Sequence, residues 1–208
     1  VLTSDRSPQV ATPAAPTVTP VGTVGTTTYS YRITATDADG QTLASTAGTT
    51  TTGNATLSAT NYNTVAWTAV TGASGYKVYG RTSGGELYMV AVTGTSYNDT
   101  GAVTPAGALP SANTTASTIY VKHNEMTTGD RAYMEAEGKV EFISIDSVPG
   151  GTGPYSYTVT RNLDGSGSND WYAGDALFNT GTTGDGFIDL YSLRSVKSAT
   201  QYGPAIVG

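Results

Sequence analysis

Short runs in which apolar and polar residues alternate dominate this chain, and apolar residues at helical spacing are missing from it. Tyr29-Ser-Tyr31-Arg-Ile33-Thr-Ala35 places Tyr29, Tyr31, Ile33 and Ala35 on one face of an extended strand. Asp37-Ala-Asp39-Gly40 turns the chain, and Gln41 to Ser45 is predicted to return as the partner strand. Val65, Trp67 and Ala69 share one face of a further run, and after a Gly/Ser turn Tyr76 and Val78 share one face of the next. Thr49 to Asn54 is polar and broken by Gly53, which fits a loop or an edge. Ala55 to Ala59, Leu87 to Thr93 and Thr95 to Gly101 complete the set. Such short strands, with turn signals every 8–12 residues or so over about 100 residues, are the pattern of a two-sheet sandwich.

Pro8, Pro13, Pro16 and Pro20 keep the first twenty residues extended, so residues 1–13 are expected to be a linker running into a first strand. Residues 14–111 form the expected sandwich. Pro105, Gly107 and Pro110, followed by small polar residues, mark a boundary, with 112–117 as linker and 118–208 as a second β-rich domain. There Ile119, Val121 and His123 share a face. Arg131 to Ala136, Lys139 to Ile145, Tyr155 to Val159 and Phe187 to Leu193 read as strands.

Composition reinforces an all-β fold and narrows the partners. Charged residues are 12% of the chain, about half the usual ~25%. A net charge of −6 argues against nucleic acid, which needs clustered Lys and Arg. The absence of cysteine removes disulfides, thiolate metal sites and cysteine nucleophiles together. No apolar run approaches the roughly 18–20 residues of a membrane helix. Neither Val1-Leu2-Thr3 nor Ala205-Ile-Val-Gly208 has the look of a natural terminus, so both ends read as cuts or processing sites.

Candidate chemistry is sparse. His123 is the sole histidine and could be cast as a base next to Glu125, but no Gly-x-Ser-x-Gly elbow or second histidine provides a triad. Asp164, Asp170 and Asp175 loosely echo a calcium loop, but Asn169 stands where that loop needs glycine. Glu135, Glu137 and Glu141 fall on one nominal face and could imitate a glycosidase pair, although the pattern fits an exposed, charge-protected edge better. Tyr29, Tyr31, Trp67, Tyr76 and Val78 are predicted core. Tyr120, Tyr172 and Tyr202 are left over and could stack on sugar rings. Asn54, Asn98 and Asn113 stand in Asn-x-Thr sequons. No catalytic residue and no cofactor are expected.

Trp67 followed by Tyr76-Lys-Val78-Tyr79 resembles the B and C strands of a fibronectin type III domain. Tyr29-Ser-Tyr31-Arg-Ile33-Thr-Ala35 through Asp39-Gly40 to Ser45 resembles its F and G strands, here placed before B, which implies a circular permutation or a half unit joined to the next. Gly129-Asp-Arg-Ala-Tyr133 through Val159-Thr-Arg161-Asn-Leu-Asp164-Gly165 to Trp171-Tyr-Ala-Gly174 resembles a β-rich module of tail and fibre proteins of tailed bacteriophages. Arg161, Asp164, Gly165, Trp171 and Gly174 carry that likeness, and the family pattern would continue past Gly208. The resemblance implies a virion structural part in a tail, baseplate or fibre. Its partners would be other virion proteins and copies of itself, a trimer by analogy with fibres, with a host-surface glycan as a further ligand. The rival class is a bacterial cell-surface or secreted carbohydrate-binding or adhesion module.

Overall fold

The computed structural model describes residues 1–124, 126–165 and 167–182. Strands and no helices are found among them, and the chain divides into two compact units. Gln9–Ala116 is one; Val1–Pro8 together with the chain from Ser117 onward is the other. The expected strand Phe187 to Leu193 lies outside the described residues.

The first unit contains two antiparallel sheets. One holds β1 (Thr17–Val21), β4 (Tyr62–Ala66) and β7 (Ser96–Asp99) in the order β1-β4-β7. The other holds β2 (Thr27–Thr36), β3 (Gly48–Gly53), β5 (Gly75–Arg81) and β6 (Leu87–Val92) in the order β3-β2-β5-β6. Both sheets contribute to a single core of Tyr31, Ile33, Ala35, Val65, Trp67, Tyr76, Val78 and Met89, an arrangement consistent with a β-sandwich. The Trp67 and Tyr76 rings meet edge to face, 5.5 Å between centroids at 64°. Tyr29 packs on the core from a half-buried position, and Ala69 is exposed, because the strand ends before it at Ala66.

A buried polar tie joins the sheets. The Tyr31 hydroxyl in β2 donates to Asp99 in β7 (2.8 Å) and accepts from the Asn63 amide in β4 (2.9 Å). Arg81 in β5 donates to the same carboxylate through Nη2 at 2.7 Å. Burial pushes the Tyr31 phenol well above its ordinary pKa, so it stays a neutral donor. A second tie binds the β5–β6 connection to β2: buried Glu86 accepts from the Ser30 hydroxyl, from Arg32 Nε (3.2 Å) and from the Gly84 amide (3.2 Å).

The sequence expectations need three corrections in this unit. Gln41 to Ser45 runs beside β2 but is not a regular strand, since two of its side chains replace main-chain acceptors. The Ala35 amide donates to Thr42 Oγ1 and the Ile33 amide to Ser45 Oγ, each at 3.0 Å. The strand that pairs with that side of β2 is β3, the polar run expected as loop or edge. Ala55 to Ala59 bends and makes no strand. Residues 9–13 and 112–116 are not linkers: Val10 is buried in the core, its amide donates to Thr115 Oγ1 (2.9 Å), and its carbonyl accepts from Asn113 (3.0 Å). Proline keeps a segment extended, and an extended segment can still pair.

The second unit is built on one antiparallel sheet in the order β12-β9-β10-β11-β8. Its strands are β8 (Thr118–Val121), β9 (Asp130–Ala136), β10 (Lys139–Ser147), β11 (Tyr155–Thr160) and β12 (Ala176–Thr182). One face presents Ile119, Val121, Ala132, Met134, Ile143, Ile145, Tyr157 and Val159, and Leu2, Met126 and Trp171 cluster with these residues. Leu2 comes from the supposed linker. Residues 1–8 are an integral part of this unit, because Leu2 pairs with Val121 and Arg6 with Trp171 in antiparallel bridges.

Two measurements test these ties. Ser45→Ala strips the acceptor from the buried Ile33 amide and is expected to lower stability in urea by about 1–3 kcal/mol, while Thr46→Ala on the exposed neighbouring position shifts it by less than about 0.5 kcal/mol. Burial opposes ionisation of Glu86, yet the bonds from Ser30, its own amide and Gly84 and the charge of Arg32 outweigh it, and the carboxyl sits below its ordinary 4.5. A folded pKa below the unfolded one stabilises at neutral pH and is lost as pH falls through the folded value. The stability gap between wild type and Glu86→Gln is therefore expected to be constant above about pH 5 and to narrow below about pH 4.5 in urea titrations.

Candidate functional site

The most concentrated chemistry in the second unit lies at the end of its core face. β11 leads straight into Arg161, and β10 carries Glu141 beside it. Both side chains are fully excluded from solvent. Arg161 Nε donates to Glu141 Oε1 at 2.8 Å and Nη2 to Oε2 at 2.7 Å, the bidentate fork that planar guanidinium and carboxylate groups favour. Glu141 Oε2 also accepts from the Trp171 indole (2.7 Å) and the Asn169 amide (2.9 Å). Two further guanidinium donors reach backbone carbonyls: Nη1 to Ser7 and Nη2 to Asn169, at 2.6 and 2.7 Å. A buried ion pair compensates its desolvation only with good geometry and further hydrogen bonds, and this one has both.

Asp164, Gly165 and Gly174, singled out in the sequence with Arg161 and Trp171, shape the loop above this pair. Gly165 (φ 75°) and Gly174 (φ 102°) occupy the left-handed region, where a side chain costs energy. Gly165 closes a turn onto the Asn162 carbonyl, and the Gly174 amide donates to the Leu2 carbonyl at 3.0 Å. Trp171 is completely buried and forms part of the core. Asp164 is exposed on the turn. The motif thus places Trp171 over the sheet and locks it with Arg161 and Glu141.

The calcium candidates are not gathered into a site. Asp175 accepts from the Tyr172 amide (2.8 Å), Asp164 and Asp170 are exposed, and no metal-holding group of three acidic or histidine side chains occurs among the described residues. His123 lies beyond the end of β8, exposed, and does not share the buried face of Ile119 and Val121; Glu125 lies outside the described residues. The carboxylate trio separates as well. Glu137 (φ 48°) and Gly138 form a two-residue hairpin turn, and such a turn resets the alternation between strands. Val140 therefore faces Glu135, and Glu141 faces Met134, so Glu135 and Glu141 point to opposite faces of the sheet. Nor are they on an exposed edge, since β9 and β10 are interior strands and Glu141 is 0% exposed.

Of the leftover aromatics, Tyr120 lies under the Arg6 guanidinium, 4.7 Å from the ring centroid, and Tyr172 is 57% exposed; Tyr202 lies outside the described residues. The outer face of the sheet carries an aromatic row that the sequence analysis missed. Phe178, Tyr133 and Phe142 are direct cross-strand partners on β12, β9 and β10. Tyr133 stacks on Phe178 at 4.8 Å and tilts against Phe142 at 5.9 Å. The signal for it was modest: three aromatics on three strands are visible, but their alignment depends on a register that no single strand encodes.

Compared with known proteins, the chain matches no family model, no curated protein and no solved structure.

Glu141→Gln leaves a buried guanidinium without its counter-charge and is expected to cost about 3–5 kcal/mol in urea unfolding. Replacing both partners, as Glu141→Leu with Arg161→Met, is expected to cost less than the two single changes added together. A strictly additive cycle would show that the two groups do not act as a pair.

Proposed function

We propose that this chain is a structural component of a phage virion, in a tail, baseplate or fibre, where its β units act as rigid spacers and docking modules. The observation that carries the reading is the Glu141–Arg161–Trp171 clamp. The residues that resemble the tail-protein module hold a loop and a core in fixed geometry, a role suited to a part whose mechanism is its shape. Symmetric copies would then bury faces that one copy leaves open, with a trimer as the stoichiometry drawn from the fibre resemblance.

The first unit we read as a fibronectin type III-like domain in permuted order. Its strand order supports this. With β2 and β3 as F and G, β5 as C, and β1, β4 and β7 as A, B and E, the C-F-G neighbours fall in one sheet and A-B-E in the other, as in the immunoglobulin-like sandwiches. The G position goes to Gly48–Gly53 instead of Gln41 to Ser45. Exposed Tyr172 favours a second reading, a surface or secreted module that stacks a glycan ring on it.

Antibodies against Gln9–Ala116 are expected to decorate the tail of purified native particles in electron micrographs. Unlabelled particles, with the chain free and monomeric in culture supernatant, would sink the virion reading. In that event, saturable glycan binding lost in Tyr172→Ala would favour the second.

A further inference from the structure

A cleft of about 410 Å³ opens on the four-stranded sheet of the first unit, between Lys77 of β5, the 36–41 turn and Thr114. Lys77 faces away from the core that Tyr76 and Val78 enter. The volume lies within the roughly 300–1,000 Å³ of small-molecule sites. Its walls are held by hydrogen bonds. Asp37 Oδ1 accepts from the Asp39 and Gly40 amides (2.9 and 2.8 Å), and Oδ2 accepts from the Ala116 amide at 2.7 Å. Thr114 Oγ1 accepts from the Gln41 amide at 3.0 Å, and the Thr114 amide donates to the Gln41 carbonyl at 2.9 Å. Gly40 permits this close approach, since a Cβ there would stand 2.1 Å from the Thr114 hydroxyl.

Two donors in the cleft lack an acceptor among the described residues. The Gln41 side-chain oxygen accepts from the hydroxyls of buried Thr34 (3.2 Å) and buried Tyr79 (3.0 Å). Burial raises the pKa of the Tyr79 phenol and keeps it a donor. With its oxygen held inward, the Gln41 amide turns Nε2 toward the cleft that it lines. Lys77 is the second donor. Its ammonium forms no ion pair among the described residues and lies 6.0 Å from the centroid of the Tyr88 ring.

We propose that this cleft binds a uronic acid residue of an acidic glycan, with the sugar carboxylate on Lys77 and Gln41. A fixed amide and an ammonium match a carboxylate, which accepts charge-assisted hydrogen bonds from both. Thr36 and Asp39 line the same cleft and suit sugar hydroxyls. One ammonium balances one negative charge. Asp37 and Asp39 beside it, and a net charge of −6 over the chain, disfavour a dianion such as phosphate. Because the walls and the Gln41 amide are already fixed, binding has little left to order. The site belongs to Gln9–Ala116, whereas Tyr172 belongs to the other unit. It does not depend on the assembly reading, and its failure would leave the location of the chain open.

The test is a titration of the whole isotope-labelled chain with sodium glucuronate at constant ionic strength, followed by heteronuclear NMR. Saturable shifts are expected at the Gln41 side-chain amide and at the Gly40 and Thr114 main-chain amides at millimolar ligand. Glucose, which lacks the carboxylate, and inorganic phosphate, which lacks the ring, are each expected to bind at least about tenfold more weakly. Lys77→Met keeps the stem and removes the ammonium. Gln41→Glu keeps the acceptor for Thr34 and Tyr79 and removes the amide donors. Each is expected to weaken glucuronate binding by about tenfold or more, and Lys77→Met alone decides the matter where Gln41→Glu disturbs the fold. Tyr172→Ala is expected to bind as the wild type does. Glucose or phosphate binding as tightly as glucuronate overturns the assignment, as do shifts outside the cleft or no saturation at tens of millimolar. Unchanged affinity in Lys77→Met, or lost binding in Tyr172→Ala, overturns it equally.

Discussion

A carboxylate and a guanidinium, both cut off from water, determine how the second unit is assembled. Glu141 sits on the apolar face between Met134 and the Trp171 ring, where an unpaired charge would be untenable. Arg161 resolves that cost, and two further donors of its guanidinium select backbone carbonyls, one from the 162–171 loop and one from the N-terminal segment. The pair therefore acts as a register pin. The loop that carries Trp171, the segment that carries Leu2 and two central strands can meet in only one alignment if every donor is to be satisfied. Among the described residues, Leu2, Met126 and Trp171, supplied by irregular chain, cover the apolar face of this sheet.

The first unit solves a related problem by a different route. Two sheets already supply the apolar cover, and polar ties add direction to it. Tyr31, Asn63, Asp99 and Arg81 link four strands from both sheets through one hydroxyl and one carboxylate. Apolar packing alone tolerates sliding between sheets, whereas a phenol that must find Asp99 and Asn63 together does not. In both units the buried charges described above are placed where they fix geometry.

The fold class was legible because strand periodicity is local. Tyr29, Tyr31, Ile33 and Ala35 alternate in sequence and share the predicted face, and Trp67 meets Tyr76 as their spacing suggests. What escaped is non-local. Leu2 looks like an isolated apolar residue in a proline-bearing lead-in, and only its pairing with Val121, more than a hundred positions away, shows its use. Glu141 was misplaced because alternation was carried across a two-residue turn, which inverts it. Strand β12 was overlooked, since Ala176-Leu-Phe-Asn-Thr-Gly-Thr182 lacks clean alternation. Arg161 and Trp171 stood out by resemblance, yet nothing in the sequence identified Glu141 as the group that both of them bind.

The route of the chain also has a mechanical meaning. Val1–Pro8 is fastened to the second unit before the chain enters Gln9–Ala116, and that unit in turn is clasped at its own base, where Val10 bonds Asn113 and Thr115. Tension applied at Val1 and drawn against β12 passes first through the ladder at Tyr120, Trp171, Gly174 and Asp175, and the inserted unit stays outside the load path. If that ladder yields, the clasp at Val10 takes the load next, ahead of any strand of the two-sheet core. The connectivity places two fuses in series before the two-sheet core.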